Sequence, residues 1–186
     1  MEIKNGNFYF IKENYFKKFD DKFLMKNKEI INGVVHNRPC YYAIKDKKNN
    51  IYWMIPISSK VDKYKKIYNE KIKKYGMCDT LHFGEVLGIE KAFLIQNMCP
   101  VTYEYINNEY CDAISNMPVR INNVLEKSVI GKAKRVLALQ NQGKSFIFPD
   151  VLKIKNKLIA INEQQIALDQ VASTDKNNEF IKLNKE

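Results

Sequence analysis

Apolar residues recur along this chain at two spacings, and the change from one to the other marks out its elements. The run Phe8-Tyr9-Phe10-Ile11 is aromatic and short, of strand type. Over residues 15–23, Tyr15, Phe16, Phe19 and Phe23 fall near helical spacing and predict a short helix whose aromatic side packs into the core. Residues 30–35 and 40–44 read as strands around the break His36-Asn37-Arg38-Pro39. Asp46-Lys47-Lys48-Asn49-Asn50 reads as a turn and 51–57 as the next strand. These closely spaced strands with tight connections predict an antiparallel meander or a small barrel.

A charged helix is expected over 61–75, with Val61, Tyr64, Ile67, Tyr68 and Ile72 on one face. Two strands around Gly88 fill 83–95 and continue through 97–101, where Pro100 marks an edge or a sheet crossing. A long helix follows Asn116-Met117-Pro118, with Ile121, Val124, Leu125, Val129, Ala133, Val136 and Leu137 on one side, and stops near Gly143. Phe148-Pro149-Asp150 opens the last helix, in which Val151, Ile154, Leu158 and Ile161 keep helical spacing. No repeat and no Gly/Ser/Pro linker interrupts the pattern. The expectation is an α+β fold: a small, mostly antiparallel β-barrel with inserted and C-terminal helices, forming one domain over 1–172. The polar stretch 173–186 is expected to fray, because nothing in it offsets the entropy of ordering.

Composition narrows the function. The 186 residues are 45% apolar and 28% charged, a globular composition with enough chain for one core. Lys and Arg number 31 against 21 Asp and Glu, a formal charge of +10, which favours polyanionic partners. No apolar run approaches the roughly 18 residues that span a bilayer, and the first residues lack a signal-peptide core, so a cytoplasmic protein without membrane contact is expected. Cys40, Cys78, Cys99 and Cys111 form no CxxC pair, which speaks for reduced thiols rather than a zinc knuckle or a redox motif. Dinucleotide-binding, Walker, HExxH and GxSxG motifs are absent from the sequence, and no Asp/Glu cluster has metal-binding spacing. Neither cofactor nor metal is expected.

The stretch Ile55-Pro56-Ile57-Ser58-Ser59-Lys60 is the most specific. A buried strand delivers two hydroxyls and an ammonium in adjacent positions at its exit. Such a group can hydrogen-bond phosphate oxygens through Ser58 and Ser59 while Lys60 offsets developing negative charge. Helix capping by Ser59 is the competing and compatible explanation. Residues 60–74 hold seven lysines, Lys63, Lys66 and Lys73 among them, against Asp62 and Glu70. Tyr64, Tyr68 and Tyr75 are interleaved, an arrangement that can follow a ribose-phosphate chain or simply form a solvated face. The sequence has only two histidines: His36 in a polar insert between strands, and His82 beside Leu81 and Phe83, where a sheet or core role is expected. Arg38 offers a planar, permanently charged fork for a phosphate or a carboxylate.

Taken together, Phe8-Tyr9-Phe10-Ile11, Tyr15-Phe16-Lys17-Lys18-Phe19-Asp20-Asp21-Lys22, Gly33-Val34-Val35 and Ile55-Pro56-Ile57-Ser58-Ser59-Lys60 make the chain resemble a family. It is the ToxN/AbiQ endoribonuclease toxins of type III toxin–antitoxin systems, especially the CptN-type branch. The resemblance spans roughly residues 6 to 165. It implies an SH3-like, Kid/MazF-like barrel core and metal-independent cleavage of cellular or phage RNA. It also implies inhibition by a small non-coding repeat RNA folded into pseudoknots, which the toxin excises and holds in higher-order toxin–RNA assemblies. The family's hydroxyl-plus-lysine motif falls on Ser58, Ser59 and Lys60, without the extra residue that some relatives carry before the lysine.

The chemistry so implied is attack of a 2′-hydroxyl on the adjacent phosphorus, giving a 2′,3′-cyclic phosphate and a 5′-hydroxyl. Lys60 would stabilise the pentavalent transition state and Ser59 would orient the phosphate. Tyr9, His36 and Arg38 are the further candidates, for base contact, proton transfer and phosphate clamping. Two other classes fit the charge or the fold alone: a non-catalytic nucleic-acid-binding regulator, and an interaction module with solvated lysines.

Overall fold

Strand β5 (Ile51–Ser58) is buried along its whole length, so both its faces and both its edges must be covered. The computed structural model describes residues 2–31 and 33–183. Its elements run β1 (Phe8–Ile11), α1 (Glu13–Lys18), β2 (Lys28–Ile31), β3 (Val34–Asn37), β4 (Cys40–Asp46), β5, α2 (Val61–Tyr75), β6 (His82–Val86) and β7 (Ile89–Phe93), then β8 (Cys99–Val101), β9 (Ile106–Glu109), α3 (Asn123–Asn141) and α4 (Val151–Leu183). The chain divides into two compact units, Met1–Val151 and Leu152–Glu186. The first holds the sheets and α1 to α3; the second is the helix that α4 forms beyond Val151. Residues 184–186, and the side chains from 171 onward, fall outside the described residues; of the stretch 173–186 expected to fray, 173–183 continue α4.

On one edge, β5 pairs antiparallel with β4, with Tyr41 opposite Ile55 and Tyr42 opposite Met54, before a one-residue irregularity at Ala43. On its other edge two strands share its length. β8 takes Tyr52 to Met54, and β7 takes Ile57 and Ser58. β6 returns along β7 through Leu87 and Gly88, whose φ values of 53° and 72° suit a tight hairpin turn. The sheet order is β6-β7-β5-β4-β1-β9, with β8 beside β5, and β2 and β3 form a separate hairpin.

One face of this sheet meets α3. Phe8, Tyr41, Trp53, Ile55, Ile57 and Phe93 form a cluster with Leu125, Val129, Ala133 and Val136, which lie along one stripe of the helix. Asn122 caps α3 by accepting the Leu125 N–H at 2.9 Å. The helix comes so near β6 that a Cβ on Gly84 would sit 2.3 Å from Leu125 Cδ2. On the opposite face Tyr15 and Phe19 pack with Tyr105, their ring centroids 4.9 to 5.7 Å apart. The Tyr15 hydroxyl donates to the Pro100 carbonyl at 2.8 Å.

The α+β class and the antiparallel sheet agree with the sequence reading, whereas barrel closure does not. The seven-stranded sheet is open, and β6 and β9 are its two ends. The cause is α3: a helix roughly 10 Å across lies on the face that a small barrel would fill with side chains alone. Two local expectations also change. The helix expected over 15–23 ends at Lys18, and Asp21 accepts the Phe23 N–H at 2.8 Å in a turn, which leaves Phe23 exposed. The strand expected over 30–35 is two, because Gly33 adopts φ 79° and separates β2 from β3.

Candidate functional site

The antiparallel pairing of β5 with β7 ends at Ser58, and its register brings Lys91 beside Ser59 just past it. Ile57 lies opposite Phe93 and Ser58 opposite Ala92, and the next pair outward is Ser59 and Lys91. The Lys91 Nζ donates to Ser59 Oγ at 2.7 Å. Ser58 is buried, and its Oγ accepts the Lys60 N–H at 3.2 Å, a local turn that fixes the exit of the strand. Lys60 is the N-cap residue of α2, and no side chain caps that helix. Capping therefore does not account for Ser59: its hydroxyl is engaged by an ammonium.

Two clefts border Arg38 here. The first, of about 360 Å³, is lined by Ser58, Ser59, Lys91, His36 and Arg38, with Phe10 and Tyr110 among its apolar walls. The second, of about 560 Å³, carries the cations Lys22, Lys26, Lys28, Lys60 and Lys63 together with Arg38, and no carboxylate is among the described residues lining it. Phe23 and Phe148 also line it, each about half exposed, with ring centroids 6.4 Å apart. Arg38 belongs to both clefts. It is 7% exposed, and its Nη1 donates to the Ile57 carbonyl at 2.9 Å while Nε donates to the Lys26 carbonyl at 3.1 Å. Its positive charge is thereby fixed in the wall between the two.

The residues singled out from the sequence are distributed unevenly over this geometry. Ser58, Ser59, His36 and Arg38 come together in the first cleft. Lys60 and Lys63 line the second, with Arg38 between them and the serines. Lys66 and Lys73 are exposed on α2 and line neither. Tyr9 also lines neither, being fully buried. Its hydroxyl accepts the Lys4 N–H at 2.8 Å and lies 3.1 Å from Glu109 Oε1, and burial raises its pKa to about 12. Side chains alternate along a strand, so it is the neighbouring Phe10 that faces the cleft, edge-on to Tyr110 at 5.6 Å.

Part of the lysine density on α2 is structural. Lys71 donates to Thr80 Oγ1 and to Gln96 Oε1, both at 2.8 Å, and burial holds its pKa below the usual lysine range. Lys65 pairs with Glu90 at 2.7 Å. His82 lines neither cleft; burial, with the nearby Lys132 charge, lowers its pKa. The two histidines therefore do not share a cleft. Sequence reasoning missed Lys91, Phe23 and Phe148. The strand carrying Lys91 was legible, but its partner was not, and Phe23 fitted the helical spacing of core residues.

Among the described residues, no group of three or more His, Cys, Asp or Glu side chains is placed to hold a metal ion, and no helix is long and apolar enough to cross a membrane. No protein-family model matches this chain, and no curated protein does.

Proposed function

We propose that this chain is an endoribonuclease toxin of the type III toxin–antitoxin kind, cutting RNA without a metal ion and held in check by a small repeat-derived RNA. The observation that carries the reading is the Ser59 hydroxyl engaged by the Lys91 ammonium at 2.7 Å, in one cleft with His36 and against the buried charge of Arg38. A hydroxyl, two positioned cations and an imidazole are what transfer at a phosphodiester requires when positioning and charge stabilisation supply most of the rate. In this reading the sheet is an opened derivative of the SH3-like, Kid/MazF-like core that the family resemblance implies.

The reacting phosphate lies where the clefts meet, beside Arg38. The substrate 2′-hydroxyl attacks phosphorus and gives up its proton, the bond to the 5′-oxygen breaks, and that oxygen takes a proton, leaving a 2′,3′-cyclic phosphate and a 5′-hydroxyl. Ser59, held by Lys91, orients a non-bridging oxygen. Lys60 approaches from the second cleft and offsets the charge that grows on the pentavalent phosphorus. His36 is the group in the first cleft suited to exchange a proton. Arg38 contributes a positioned charge more than a fork, since two of its nitrogens already bond to backbone carbonyls.

The experiment is cleavage of single-stranded RNA by the purified chain in excess EDTA. Cutting that persists, with 2′,3′-cyclic phosphate ends, is the expected result. Activity that needs added Mg²⁺, or products with 5′-phosphates, would overturn the mechanism. A protein that binds RNA and never cuts it would be the non-catalytic regulator, a reading that the second cleft also suits, since no carboxylate is among its described lining residues.

A further inference from the structure

The second cleft contains something that neither the serine motif nor the α2 lysines require: a pair of half-exposed phenylalanines among cations. Phe23 and Phe148 are 49% and 50% exposed, with rings tilted by 51° at 6.4 Å. Both are reached from chain segments outside regular structure, after α1 and before α4. Large aromatics left open to water at the end of a basic cleft cost free energy unless a partner covers them. Lys22 lies over the Phe23 ring at 4.9 Å and Lys71 near the Phe148 ring at 5.9 Å, so each ring already has a cation beside it.

Beyond the two rings the charge changes sign. Phe23, Phe148 and Lys22 also border a pocket lined by Asp20, Asp21 and Asp150, and Asp21 is tied there by accepting the Asp150 N–H at 2.9 Å. A polyanion can thus enter from the Arg38 side, along Lys60 and Lys63, and is stopped at the aromatics by carboxylates. Flat apolar faces, flanking ammonium groups and an acidic end point match one ligand: a nucleotide at the limit of a bound single strand. A lipid surface would present many phosphates in a plane and would meet the same carboxylates.

We infer that Phe23 and Phe148 form a base-stacking subsite that holds an unpaired nucleotide of single-stranded RNA flanking the phosphate at Ser59. The inference rests on the RNA-cleaving reading for the position of that phosphate. Stacking supplies affinity with little regard to base identity, because every base has a π face, and Lys22 serves the phosphate of the same nucleotide. The strand passes from the serine cleft over Arg38 into the aromatic cleft, which is why one buried arginine borders both.

The test uses the full chain and a 2′-O-methyl hexanucleotide, which cannot be cut, with 2-aminopurine placed at each position in turn. One position should lose fluorescence on binding. In the Phe23→Ala/Phe148→Ala double variant that quenching should disappear and Kd should rise roughly tenfold, on the scale of one stacked base. Phe23→Leu, which keeps apolar area and loses the flat ring, should restore little. Because both rings are half exposed the variant should fold, and an unchanged melting temperature checks this. Quenching and Kd that match the wild type in the double variant would overturn the subsite. So would loss of binding to phosphatidylserine vesicles with RNA binding intact. A wild-type chain that quenches the hexamer yet leaves unmodified RNA uncut would keep the subsite and refute the nuclease. A nuclease whose Kd ignores the double substitution would do the reverse.

Discussion

The two clefts that Arg38 borders are built by different means. The serine cleft is built mainly by the sheet: Ser58 ends β5, Ser59 follows it and Lys91 sits on the paired β7, while His36 comes from β3 of the separate hairpin. The β5–β7 ladder ends at Ser58 and Ala92, and the neighbouring Ser59 and Lys91 side chains meet at 2.7 Å. The aromatic cleft is larger and draws on one face of α2, the hairpin formed by β2 and β3, and two irregular segments. Its ammonium groups sit on long side chains, and Phe23 and Phe148 are half exposed. Strand-built geometry suits contact with a single atom, whereas a cleft of lysines and rings suits a flexible chain whose sequence matters less. Lys60 stands on the boundary, adjacent in sequence to the first cleft and lining the second.

That boundary position makes Lys60→Ala the most informative substitution. If the reacting phosphate lies at the junction, loss of this charge should slow cleavage by at least about a hundredfold, the scale of one transition-state contact. The fold should survive, since Lys60 is exposed and caps nothing through its side chain. A fully active variant would move the chemistry wholly into the serine cleft and remove Lys60 from it.

Lys91 acts one step further away, as a positioning residue for the Ser59 hydroxyl. Lys91→Ala should cost about tenfold, since a hydrogen bond to a charged group is worth roughly 1.5–3 kcal/mol and water replaces part of it. Ser59→Ala should cost a similar amount. Because the two side chains share one bond, the double variant should be little slower than either single one. Lys91→Arg should recover most of the rate, and a merely structural lysine would show no such coupling to Ser59. Additive losses, each multiplying the other, would separate the pair and leave Lys91 as a wall of the cleft.

The contrast between the clefts also explains which parts of this protein were legible in the sequence. The motif strand, the charged helix, the hairpin around Gly88 and the long helix ending near Gly143 all carry their signals locally, in alternation, helical spacing and turn chemistry. Partner choice is not local. Nothing in residues 89–93 says that they continue along β5 beyond β8, so only the topology places Lys91 beside Ser59. Tyr9 was misplaced by a single step of strand alternation, which sends Phe10 to the cleft and the tyrosine hydroxyl to Glu109. Phe23 kept the helical spacing of Tyr15 and Phe19, but the helix ends at Lys18 and a turn held by Asp21 carries the ring outward. Barrel closure is not legible for a related reason: short antiparallel strands look alike whether or not a helix such as α3 lies across the face they would close around.

The smallest expected effect separates the two histidines, one in the serine cleft and one outside both. His82 is half-buried on β6, and desolvation, with the Lys132 charge, lowers its pKa. A histidine with a lowered folded-state pKa is protonated more readily in the unfolded chain. Its contribution to stability is therefore complete above the unfolded value, about 6.5, and is lost as pH falls from there through the folded value. Melting temperatures of the wild type should drop over this acid range, and His82→Gln should flatten that part of the profile while leaving RNA cleavage at neutral pH unchanged. Lys132 donates to the Cys78 and Leu81 carbonyls at 2.7 and 3.0 Å, so it stays in place in either protein and repels only a protonated imidazole. If instead His82→Gln alters the rate of cleavage and leaves the melting profile as it was, then the imidazole outside both clefts is acting on RNA. The division of labour between the clefts would then be wrong at its simplest point.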